Sequence, residues 1–277
     1  MHEYRHGARR SAGVAATART LVVIPARHAS VRFPGKALAP IRGAQGQPRP
    51  LIERCWRAAC AVPGVDGVVV ATDDARIRDV AQGFGAEVVM TSSTCENGTE
   101  RCAEALARLG IAPEIVVNLQ GDAPLTPPWF VTAVIDAVRA GAAMATPVLA
   151  LDADAVRALH AERRAGRVGG TTAVMRADGT ALYFSREVLP HGALETGTAV
   201  HLHAGVYAYT AQALADYVAA GPCAAERAEG LEQLRFLHHA IPVTCVPVTA
   251  RGQTFHEVNH PEDVPTVEAA LRASGTP

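Results

Sequence analysis

The chain has 277 residues, 49 % of them hydrophobic and 19 % charged, with a formal net charge of −1. That profile predicts a globular protein able to bury a sizeable core in one large domain, with or without a smaller lobe. It excludes a nucleic-acid surface built on bulk positive charge, and no apolar run approaches the roughly 20 residues that span a bilayer. The opening MHEYRHGARRSAGVAATART is Arg-rich and lacks a long apolar stretch, so no secretory signal is expected. Residues 1–19 are expected to be a disordered extension ahead of a domain at 20–277. Six scattered cysteines without a C-x-x-C pair predict reduced thiols, a cytoplasmic location and no zinc site.

In chain order, TLVVIPA (20–26) predicts a short buried strand, and RPLIERCWRAACAV has helical spacing, with Leu51, Ile52, Cys55, Trp56 and Ala59 on one face. Strand GVVVATDD, helix DARIRDVAQGFG, strand AEVVMTS, helix GTERCAEALARLG, strand EIVVNLQGD and helix PPWFVTAVIDAVRAG follow. Buried strands alternating with helices predict a mainly parallel sheet covered on both faces, an α/β fold. The second half changes character. GTTAVMRADGTALYFSR predicts a hairpin around an Asp-Gly turn, HLHAGVYAYT a strand, AERAEGLEQLRFLHH a helix, PVTCVPVT a strand and HPEDVPTVEAALRAS a closing helix. VLPHGALETGTA is the most loop-like interior stretch.

Ligands of such sheets sit at the carboxyl ends of the strands, and three polar clusters fall there: PARHASVRFPGK, ATDD and NLQGDAP. The first matches neither G-x-G-x-x-G nor a Walker A ending. It places Arg27, Ser30, Arg32 and Lys36 within ten residues, and Lys36 is the chain's single lysine. Three cations and a hydroxyl on one loop suit a polyphosphate, the arginines as forks and the lysine as a mobile point charge. A solvated basic loop is the competing reading. Asp122, behind a Gly turn at a strand end, is placed to hold magnesium, which takes one or two carboxylates and leaves room for phosphate and water; a turn-capping aspartate is the alternative. Gly98, Thr99 and Arg101 stand at a helix start, where free N–H groups favour an anion or a base edge, or where Thr99 merely caps the turn.

VVIPARHASVRFPGKAL, NGTERCAEA, VVNLQGDAPL, ALYFSRE, HAGVYAY and LEQLRFL, in this order, resemble the CMP-Kdo synthetases (3-deoxy-manno-octulosonate cytidylyltransferases) over roughly residues 20–272. The resemblance implies a three-layer, Rossmann-like nucleotidyltransferase fold with a smaller β-rich dimerisation lobe, here about 150–210. It implies transfer of CMP from CTP to an acidic sugar with release of pyrophosphate, Mg²⁺ as cofactor and a homodimer. Arg27, Ser30, Arg32 and Lys36 would hold the triphosphate, Gly98, Thr99, Arg101 and Gln120 the CTP side, and Asp122 the metal. Lys36, Arg27 and Asp122 would carry catalysis. Arg186, His203, Tyr207, Glu232 and Gln233 would line the acceptor pocket.

The chain departs from the family pattern in places. Against a G-V-D-T-P-E-D-like segment it reads HEVNHPED, putting Asn259 at the aspartate that should supply a second metal ligand; Asp263 is a possible substitute or a first-turn helix aspartate. Ala123 follows Q-G-D in place of glutamate, and Ser92 and Cys95 replace an arginine and a histidine. RAGRVGGTTAVM and LPHGALETGT also differ, where the acceptor should be recognised. The resemblance implies Kdo or a related keto-acid sugar as the acceptor. The alternatives are a small phosphonate such as phosphonoformate or, in another class, a catalytically weak CTP-binding sensor.

Overall fold

In the computed structural model of the protein, residues 17–30, 32–167 and 169–277 are described. The expected N-terminal extension lies, up to residue 16, outside them. The first half runs β1 (Thr20–Ala26), a small ribbon β2 (Pro40–Arg42) and β3 (Pro48–Pro50), α1 (Leu51–Cys60), β4 (Gly67–Thr72), α2 (Ala75–Gly83), β5 (Glu87–Met90), α3 (Gly98–Leu109), β6 (Ile115–Leu119) and α4 (Pro128–Arg139). The second runs β7 (Met144–Leu151), α5 (Ala153–Arg164), β8 (Thr171–Met175), β9 (Ala181–Ser185), α6 (Ala193–Thr196), β10 (Val200–His203), β11 (Val206–Tyr209), α7 (Ala211–Ala220), α8 (Ala224–Glu229), α9 (Gln233–His238), β12 (Val243–Val248) and α10 (Val264–Ala273).

One ten-stranded sheet has the order β5-β4-β1-β6-β11-β7-β10-β8-β9, with β12 against β7. Strands β5, β4, β1, β6, β7, β8 and β12 run one way, and β9, β10 and β11 the other. The strand period of two sends successive residues to opposite faces. Val22 and Ile24 of β1 join a core with α1 and α4, while Leu21 and Val23 join one with α3, α7 and α9. Every residue of β1 is buried, which explains its unbroken apolar run. The expected three-layer α/β architecture is present.

The second half differs from its sequence pattern in three places. HLHAGVYAYT is two strands, because the pairing with β7 shifts from Val200↔Leu151 and His203↔Val148 to Ala208↔Ala145 and Tyr209↔Met144. Ala204 and Gly205 form the bend, and a two-residue offset lets β10 follow β7 while β11 crosses to β6. AERAEGLEQLRFLHH is two helices, since Gly230 at φ +63° ends α8 in the left-handed region. Strand β7, paired by β11, β10 and β12, had no pattern of its own. The hairpin β8–β9 curls back so that Thr180 bridges Thr244 of β12, closing the β-rich region on itself. No helix among the described residues is long and apolar enough to cross a membrane.

Candidate active site

The parallel register aligns Ala26 with Thr72, Thr72 with Met90 and Val23 with Asn118. Arg27, Asp73, Thr91 and Gln120 therefore emerge at one edge of the sheet. After β1 the chain turns back through Gly35 (φ +70°), whose position suits glycine because a Cβ there is strained. The turn directs Lys36 inward. Its Nζ donates to Asp122 Oδ2 at 2.5 Å and to Val258 O at 3.2 Å, with the two side chains 16 % and 22 % exposed. Arg27 and Arg32 stay exposed, and Arg32 Nη2 donates to Asn259 Oδ1 at 2.7 Å. Val258 N donates in turn to Asp122 O at 2.8 Å. The basic loop, the Q-G-D turn and the 257–259 segment thus form one tied unit. Gly121 is required within it, because a Cβ there would lie 2.7 Å from Pro25 O.

Asn97 caps α3 by accepting from Glu100 N and so sets Gly98 and Thr99 against the end of β6. Thr99 N donates to Glu232 Oε2 at 2.8 Å, and the Thr99 hydroxyl meets that of Tyr209 at 2.8 Å. Gln120 Nε2 donates to Glu232 Oε1 at 3.3 Å. Burial raises the Glu232 pKa, partly offset by the Thr99 amide. Glu232, expected among the acceptor residues, stands between the two sides: it closes the N-terminus of α3 and holds Gln120. Arg101 is buried, donating to Thr91 Oγ1 at 2.6 Å and pairing with Asp73 Oδ2 at 3.3 Å. It bridges the ends of β4 and β5 beneath the site. Ser92 N and Cys95 Sγ both bind the Glu104 carboxylate, which braces the loop before α3.

The remaining expected residues gather beside this unit. Arg186 is fixed by Glu229, through its backbone N at 2.7 Å from Oε2 and its Nε at 3.2 Å from the carbonyl. Its charge acts on His203, Tyr207 and Glu257. His203 is buried between Phe184 and Tyr207, with ring centroids at 5.2 and 5.5 Å. Its Nε2 lies 2.8 Å from Thr146 Oγ1, which is also 2.8 Å from Val206 O. The Thr146 hydroxyl has one proton; given to Val206 O, it leaves the oxygen to accept from His203 Nε2–H. Burial lowers the His203 pKa to about 3, so the ring is neutral. Tyr207 OH donates to Gln233 Oε1 at 3.3 Å, while the buried Gln233 Nε2 has no partner among the described residues. An orphan buried donor is costly, and this one is ready for an acceptor oxygen.

One site residue escaped the sequence reading. Glu257 lies with its carboxylate against Gly205, and burial and then the Asp122 charge push its pKa well above the usual carboxylate range. The signal was present: HEVN laid against G-V-D puts Glu257 where the pattern has glycine. Asp263, by contrast, accepts from Asn259 N, His260 N and His256 Nε2. It acts as a turn and cap residue, turned to its own segment.

Comparison with known proteins agrees with this geometry. A family model described as cytidylyltransferase matches residues 21–242. The 3-deoxy-manno-octulosonate cytidylyltransferase of Maricaulis maris (strain MCS10) is 45 % identical over 258 residues, covering 92 % of this chain and 98 % of that one. The protein of the same name from Myxococcus xanthus (strain DK1622) is 44 % identical, covering 93 % and 98 %. A solved CMP:2-keto-3-deoxy-manno-octonic acid synthetase complexed with CTP superposes with a TM-score of 0.79 at 30 % identity, covering 92 % of this chain and 99 % of that one. Matched along nearly its whole length in sequence and fold, the chain belongs to the cytidylyltransferase family, as a CTP-dependent nucleotidyltransferase of the CMP-Kdo synthetase group.

Proposed function

We propose that the chain transfers CMP from CTP to Kdo, with release of pyrophosphate. The observation that carries this is the tied unit of Lys36, Asp122 and residues 257–259 beside the Arg186–His203–Tyr207–Gln233 cluster. It joins a phosphate-binding loop to a polar pocket with one unsatisfied donor. The names of the relatives support the acid; they lend no support to a phosphonate acceptor or to a sensor.

In this reading an acceptor oxygen attacks the α-phosphorus in line with the departing pyrophosphate. Positioning and charge neutralisation supply most of the rate, without a covalent enzyme intermediate. Arg27, Ser30, Arg32 and Lys36 hold the triphosphate and offset the charge that builds on the leaving group. Gly98, Thr99, Arg101 and Gln120 position the nucleoside side. Arg186, Tyr207 and Gln233 orient the acid, while His203 and Glu232 hold those groups in place. The donor set fits magnesium: Asp122 brings one carboxylate, and the Lys36 ammonium on it marks a place where a cation is favoured. Asp122 would hold the ion, which when bound withdraws charge from the α-phosphate.

The exposed Leu182 and Tyr183 on edge strand β9 support reading residues 150–210 as the lobe through which two copies pair, with light scattering as the test. Consumption of CTP supports a cytoplasmic location. The deciding experiment is pyrophosphate release from CTP with Kdo, other keto-acid sugars and small phosphonates. Turnover with Kdo alone is expected. Preference for another acid would overturn the assignment, and CTP binding without turnover on any acid would favour the sensor.

A further inference from the structure

Behind the site, Gln120 and four other residues close a ring of hydrogen bonds. Gln120 Nε2 donates to Asn118 Oδ1 at 3.2 Å and to Glu232 Oε1 at 3.3 Å. Glu232 Oε2 accepts from Thr99 N at 2.8 Å, the Thr99 hydroxyl meets that of Tyr209 at 2.8 Å, and Tyr209 OH accepts from Asn118 Nδ2 at 3.3 Å. Asn118, Tyr209 and Thr99 are buried, so each polar group of the ring depends on its neighbour for a partner.

The ring decides which end of Gln120 a ligand can meet. A primary amide has two N–H groups, and both of those on Gln120 are used inside the ring. The nitrogen is also covered: a Cβ on Gly98, the first residue of α3, would lie 3.1 Å from both Gln120 Nε2 and Asn118 Nδ2. Turning the amide over would set its oxygen against the Glu232 carboxylate. When ionised that group only accepts, and the bond from the Thr99 amide favours the ionised form. What remains is Oε1, to which none of the described residues donates, on a half-buried side chain directly after β6.

We propose that Asn118 and Glu232 are positioning residues that fix the polarity of Gln120, so that it offers the substrates an acceptor oxygen alone. Gln120 then takes a hydroxyl or amino group and turns away phosphate and carboxylate oxygens. This rests on the reading of Gln120 as a residue that faces the substrates.

Steady-state kinetics of the full chain with CTP and Kdo test this. Gln120→Met removes the amide at similar length and should raise the KM of one substrate about fivefold or more. A rise for CTP puts the donor on the nucleotide, and a rise for Kdo puts it on the acid. No change in either KM shows that Gln120 meets no substrate, which overturns the site reading at this residue and the proposal with it. Gln120→Glu keeps an acceptor oxygen but opposes two carboxylates, and should lower the melting temperature. Adding Glu232→Gln exchanges the two groups. The amide at 232 then donates to position 120 and still accepts from Thr99 N, while Asn118 turns over and Tyr209 donates to it. This double variant should recover the melting temperature and bring KM to within about threefold of the parent. A recovered melt with KM as high as in Gln120→Met leaves the site standing and overturns the acceptor polarity. A melt that stays low overturns the ring as what sets it.

Discussion

The neutral, buried His203 makes a quantitative prediction about acid stability. In the unfolded chain an imidazole takes its proton near pH 6.5; in the fold, burial lowers that to about 3. Below pH 6.5 the unfolded state therefore binds a proton that the folded state refuses, and stability falls with pH. The contribution is fully present above 6.5 and drains away toward 3. Each pH unit inside that window costs about 1.4 kcal/mol, so moving from pH 7.5 to 4.5 removes roughly 2–3 kcal/mol through this residue alone. His203→Gln replaces the ring with an amide able to donate to Thr146 Oγ1 and cannot titrate. Urea unfolding of parent and variant across pH 4.5–7.5 isolates the effect, because the other groups cancel in the difference. The parent's advantage over His203→Gln should shrink by roughly 2–3 kcal/mol at pH 4.5, and a difference constant to within about 1 kcal/mol across the range would refute the reasoning.

The buried Arg235, 1 % exposed on its side chain, pairs with Glu226 and Glu100 and lies 4.1 Å over the Tyr217 ring. Glu226→Gln should cost about 3–5 kcal/mol in urea unfolding by leaving a desolvated guanidinium poorly paired; a loss under about 1 kcal/mol would show that the site rehydrates. Lys36→Ala, and also Lys36→Arg, should slow CMP transfer by about a hundredfold, because a planar fork cannot reproduce the short ammonium contact to Asp122. Full rate in the arginine variant would remove the special role of the ammonium. Gly121→Ala drives a Cβ to 2.7 Å from Pro25 O and should lower stability by about 1–3 kcal/mol, visible as a lower urea midpoint with an unchanged slope.

Much of the proposed nucleotide side was legible as local pattern in residues close in sequence. The loop from Arg27 to Lys36 and the Q-G-D turn each follow a buried strand, and local periodicity marks such strands. Glu257 was missed because its burial depends on Gly205, 52 positions earlier along the chain, and its one local mark is that it stands where the family pattern has glycine. Strand β7 was missed for a related reason. MATPVLAL carries Pro147 inside an apolar run, which weakens the strand pattern; the proline has no N–H to give the sheet, and its carbonyl accepts from Ala204 N.

The sequence by itself determined the α/β class, the basic loop after the first strand and the single lysine within it, because turn chemistry and apolar period act over a few residues. Only the tertiary structure decided that Lys36 closes on Asp122, that Glu232 ties Thr99 to Gln120, that His203 is buried and neutral, and that Glu257 is buried against Gly205. Those are statements about distance and desolvation between segments far apart in the chain. Hydrophobic burial brings the segments together, and the residues they carry acquire their chemistry from one another once water is excluded.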